Sequence, residues 1–77
     1  MQIKQIGSNM TLATLNHASV LYSYETPVAA FVGGRGYVRT ATKWSRTTTK
    51  HINKWLGGNV AEVIPQEQIE NLLIPVN

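Results

Sequence analysis

Arg46, Lys50 and Lys54 stand at i, i+4 and i+8, a spacing that places three cations in one row along a helix. Arg35, Arg39 and Lys43 come just before them on the last expected hairpin, Arg35 in its turn and the others after it, where 37, 39, 41 and 43 project to one side. Such a concentration of cations suits the phosphates of a nucleic acid, and the chemistry offered is charge neutralisation rather than bond making. Tyr37 shares the Arg39 side, and Tyr22 and Tyr24 lie on a nearby strand, so aromatic platforms for base stacking are expected beside the cations. The same pattern also describes the solvated faces of an ordinary small domain with its tyrosines inside. Trp44 and Trp55 are expected as core anchors.

Other chemistries find less support. Gly33-Gly34-Arg35-Gly36 could expose backbone N–H groups to an anion, but it matches neither a Walker loop nor a dinucleotide fingerprint and reads as a hairpin turn. His17 and His51 are the two histidines, neither has ligand spacing, and no metal or cofactor is expected. His51, at the edge of an apolar stripe, reads as a half-buried helix histidine. Three of the four acids, Glu62, Glu67 and Glu70, fall near the C-terminus and Glu25 stands alone, so no carboxylate pair is available for acid-base work. A Ser-His-acid site lacks a nucleophile elbow, and enzymatic activity is not expected.

The 77 residues carry a net charge of +3, unevenly spread. Residues 1–59 hold all seven Lys and Arg against one acid, a balance of +6, whereas residues 60–77 hold three acids and no base. A basic body of this kind attracts nucleic acid or an acidic protein, and the acidic segment could cover the basic surface or point away from it. Cysteine is absent, which excludes disulfides, thiolate metal sites and a cysteine nucleophile. At 43% hydrophobic and 14% charged residues the chain is too apolar for disorder and too interrupted for a membrane span. Neither a secretory signal nor a transit peptide is evident at the N-terminus, so a cytoplasmic location without membrane contact is expected. A single core in so short a chain is marginal, which makes self-association an expectation to test.

The elements that must position the cations follow from local pattern. Residues 1–6 form a short strand, 10–15 and 19–24 pair as a hairpin with Val20, Tyr22 and Tyr24 on one side, and Pro27 breaks the run before a strand over 28–32. The glycine-rich turn leads into a strand over 37–42. A helix over 46–56 follows, with Ser45 or Thr47 as N-cap, Gly57-Gly58 as its stop, and Thr48, Ile52, Trp55 and Leu56 on one face. Val60 to Ile64 is a further short strand, and Pro65 opens a second helix to Leu73, with Ile69, Leu72 and Leu73 as its apolar side and Pro75 as its stop.

The run Ser23-Tyr24-Glu25-Thr26-Pro27-Val28-Ala29, then Gly36-Tyr37, then Trp44-Ser45 through Thr48 and Lys50-His51-Ile52-Asn53-Lys54-Trp55-Leu56, resembles short uncharacterised accessory proteins of tailed bacteriophages. The resemblance covers residues 7–73 and carries no known active site. It implies a phage setting inside a host cell, where such proteins bind nucleic acid or inhibit a host or defence protein.

The resulting expectation is one α+β domain over residues 1–77: a small antiparallel meander sheet of three to five strands, one amphipathic helix packed on it, and a short C-terminal helix. The expected function is non-enzymatic nucleic-acid binding through Arg35, Arg39, Lys43, Arg46, Lys50 and Lys54. The alternatives are inhibition of an acidic host or defence protein through the same residues, and a scaffold oligomer.

Overall fold

The structure, a computed structural model, describes residues 2–73. Five strands run as an antiparallel meander: β1 (Gln2–Gly7), β2 (Met10–Thr14), β3 (Ala18–Ser23), β4 (Thr26–Val32) and β5 (Gly36–Thr40). After α1 (Arg46–Leu56), the chain adds β6 (Glu62–Ile64) beside β5, and α2 (Gln66–Asn71) follows. The pairing of β5 with β6 is parallel, with Val38 opposite Glu62 and Thr40 opposite Ile64.

The antiparallel sheet of three to five strands is thereby corrected to a six-stranded mixed sheet with two short helices. The reason lies in the crossover. A parallel neighbour requires a long return connection, and α1 with its flanking loops is that connection. The residues of β6 alone carry no mark of which strand they will join, or in which direction.

The two helices cover opposite faces. Leu21 and Ala29 pack with Ile52 and Leu56 of α1, whereas Val20, Ala30 and Val38 pack with Ile69 of α2. Alternate residues of a strand point to opposite faces, so the contrast between 20 and 21, and between 29 and 30, defines the α1 and α2 sides. This double cover explains why β3 and β4 read as near-continuous apolar runs. At the turn between them the pairing passes from Leu21 opposite Ala29 to Tyr22 opposite Pro27, leaving Val28 as an extra residue. The bulge turns both Val28 and Ala29 toward α1, and Pro27, which has no N–H for the ladder, sits inside β4 rather than before it.

Local chemistry sets the limits of α1. Ser45, in extended conformation, accepts a hydrogen bond from the Thr48 N–H at 3.1 Å, so it is the N-cap and Thr47 is not. Gly57 adopts left-handed angles and its N–H closes the helix on Asn53 O at 3.1 Å. Thr48, Ile52 and Leu56 are buried, and Trp55 packs against the same cluster from its rim. The second helix ends at Asn71, earlier than Leu73, and Leu72 and Leu73 continue as a turn packed on the α2-side core. Pro75, the expected stop, lies outside the described residues. No helix among the described residues is long and apolar enough to cross a membrane.

Candidate functional site

At 100° per residue, Arg46, Lys50 and Lys54 lie about 160° around α1 from Thr48, Ile52 and Leu56. All three are exposed on the side turned away from the sheet. None makes an ion pair among the described residues. Arg39 extends the basic surface from the sheet itself: it shares the α1 side with Ala29, and its Nη1 donates to Asn53 Oδ1 of α1 at 3.3 Å. That bond uses one of the five guanidinium donors. Lys43 is exposed in the loop between β5 and α1.

Arg35 is set apart from this group. It sits in the β4–β5 turn, where its Nε donates to Glu62 Oε1 at 3.0 Å in the single ion pair among the described residues. The hydrogen bond, and then the charge of Glu62, raise the Arg35 pKa above its ordinary value, and the same contacts hold the Glu62 carboxyl below the usual glutamate range. Arg35 is therefore paired at the surface with a residue 27 positions away in sequence, with both side chains still open to solvent. The strand itself ends at Thr40, whose Oγ1 accepts from the Thr42 N–H at 3.0 Å, so 41 and 43 lie on the loop and not on one side of β5.

The aromatic residues divide: Trp55 packs on the core as expected, whereas Trp44, Tyr37 and Tyr22 do not take the places expected of them. Tyr37 stacks edge-on against Trp55 with ring centres 5.5 Å apart and against Phe31 at 4.8 Å, which engages it in packing rather than leaving a free platform. Tyr22 packs against the α2-side core, and burial raises its hydroxyl pKa. Tyr24 leaves β3 altogether and occupies the turn at φ 57°, so it does not continue the Val20 and Tyr22 face. Trp44, expected inside, is 47% exposed.

A buried polar network lies beneath α1. Ser23 Oγ, 1% exposed at the residue level, shares hydrogen bonds with His51 Nδ1 at 2.7 Å and Thr48 Oγ1 at 3.0 Å. Ser45 Oγ in turn donates to Thr48 Oγ1 at 3.2 Å. The Tyr24 ring lies against His51 with centres 5.8 Å apart. A serine beside a histidine has the elements of a nucleophile and base, but Ser23 is closed to substrate, and no carboxylate among the described residues bonds His51. What the network does is satisfy the polar groups brought into the core where α1 meets β3. The other histidine, His17, shares a hydrogen bond with Leu72 O at 3.0 Å, and no three potential metal ligands converge among the described residues.

The acids complete the electrostatic picture. Glu67 and Glu70 are exposed on α2, and Glu62 belongs to the Val38 side of the sheet. The sheet thus separates the free cations of α1 from the acids of α2, which answers where the acidic segment goes relative to the basic helix.

No curated protein and no solved structure matches this chain. Residues 1–71 match a family of unknown function, DUF8033, and the chain belongs to that family.

Proposed function

We propose that the chain is a non-enzymatic, phage-type accessory module that binds nucleic acid through the α1 side of its sheet. The observation that carries this reading is the outward row Arg46, Lys50 and Lys54, without an ion pair among the described residues and continued by Arg39 and Lys43, on the face opposite the acids of α2. Cations held in a rigid row neutralise phosphates with little demand for base sequence, and affinity then falls steeply with salt. Arg35 lies apart from this row, in the β4–β5 turn beside Glu62.

The test measures binding of the whole chain to labelled duplex and single-stranded DNA and RNA at about 50 and about 200 mM salt. Binding that weakens steeply across that range supports the reading. Absence of binding to every probe at the lower salt overturns it.

A second reading, inhibition of an acidic host or defence protein, is favoured by one separate observation. Among the described residues the outer edge of β1 pairs with no strand, and its Ile3 is 68% exposed in a groove that also includes Ala13, Tyr22 and Tyr24. Exposed apolar surface next to an open edge is more typical of protein contacts than of phosphate contacts. A purified acidic partner that stays bound after nuclease treatment would favour this reading over the first.

A further inference from the structure

The loops after β5 and β6 leave the same end of two adjacent parallel strands and diverge, one to α1 and the other to α2 on the opposite face. In open sheets with parallel strands, such a divergence at the carboxyl ends opens a crevice where ligands bind. A cleft of about 250 Å3 lies on the α1 side of this divergence, between the β5–α1 loop and α1, lined by Arg39, Thr42, Lys43, Trp44, Thr49 and Ile52 among others. Trp44 stands at it, 47% exposed. Its Nε1 donates to Gln66 Oε1 at 3.4 Å, which ties the indole across the two diverging loops. Gln66 is itself held, donating from Nε2 to Pro27 O at 2.7 Å and to Glu70 Oε2 at 3.2 Å. The indole is tethered at its N–H while nearly half the residue stays open to solvent.

We infer that this cleft receives one unpaired nucleotide of a single strand, its base stacked on Trp44 and its phosphates at Arg39 and Lys43. The inference rests on the nucleic-acid reading above and adds the ligand class. A cleft of this size is below the range of drug-sized pockets and suits a single small planar group with a polar edge. The exposed Thr42 hydroxyl offers that edge a donor and an acceptor, and the two cations supply the charge that a bare aromatic ligand would not need. A base inside a duplex is stacked on its neighbours and cannot also stack on Trp44, so the cleft discriminates by strandedness rather than by sequence.

The experiment compares Trp44→Leu, Trp44→Phe and the parent for binding to a labelled oligo(dT) of about 12 nucleotides and to a blunt-ended duplex without unpaired nucleotides. Trp44→Leu should lose roughly 5- to 100-fold in affinity for the single strand, Trp44→Phe should recover part of that loss, and duplex affinity should stay within about twofold throughout. Tryptophan fluorescence of a Trp55→Phe protein, in which Trp44 is the remaining indole, should be quenched by oligo(dT) and not by the duplex. A Trp44→Leu protein that binds the single strand as the parent does overturns the inference and leaves the nucleic-acid reading standing. Equal losses on both probes also overturn it, since Trp44 would then support the surface as a whole. If Trp44→Leu does not fold, absence of quenching in the Trp55→Phe protein overturns the inference alone. A parent that binds neither probe overturns the underlying reading and the inference with it.

Discussion

Replacing Arg46, Lys50 and Lys54 together by glutamine separates folding from binding. The three side chains are exposed and make no ion pair among the described residues, so their removal takes little from the folded state. Helix electrostatics nearly cancel as well. Arg46, in the first turn of α1, faces the positive end of the helix, and Lys54, in the last turn, faces the negative end. Losing the first helps and losing the second hurts by similar amounts, about 0.3–1 kcal/mol each. The melting temperature should therefore stay within a few degrees of the parent. Binding behaves differently. Each duplex phosphate contact contributes about 0.9 to the slope of log affinity against log salt, so three lost contacts lower the slope by up to about 2.7, or about 2.1 for a single strand. A fourfold rise in salt then costs the parent about 40-fold more duplex affinity than it costs the variant. Fluorescence anisotropy across a salt series reads both quantities, and calorimetry confirms the fold. A variant that binds equally well with an unchanged slope would refute the assignment of phosphate contacts to α1.

Three further outcomes test the framework that holds this surface. Ile52→Ala, at a site 3% exposed between α1 and the sheet, should destabilise by about 2–5 kcal/mol, and a melting curve like that of the parent would mean that α1 is not anchored there. Gly36 has φ +99° and an added Cβ would meet nothing within 4 Å, so Gly36→Ala should cost about 1–3 kcal/mol from the backbone alone, and an unchanged denaturant midpoint would refute the turn geometry. Because Arg35 holds the Glu62 carboxyl below its ordinary range, the pair stabilises fully above the usual glutamate pKa and loses its effect as pH falls through the lowered value. Glu62→Gln should consequently melt slightly below the parent near neutral pH and converge with it in acid, and a difference that grows toward acid would contradict the pairing.

What the sequence by itself determined was local. Ser45 and Gly57 mark the ends of α1, the alternation of Thr48, Ile52 and Leu56 with Arg46, Lys50 and Lys54 defines its two sides, and the glycines at 33–36 specify a hairpin, because capping, helical period and positive φ depend on residues within a turn or two of each other. The first five strands were legible for the same reason, although their limits near Tyr24 and Pro27 were displaced by a bulge that local pattern does not record. Only the tertiary structure decided what depends on distant partners. It placed β6 parallel to β5, α2 on the face opposite α1, and Glu62 beside Arg35. It also drew Tyr37 onto Trp55 and left Trp44 open, although all three aromatic residues offer similar apolar surface. An apolar residue encodes a tendency to be buried but not the neighbour that buries it, and that choice is made by the crossover that brings residues 36–40 and 62–64 side by side.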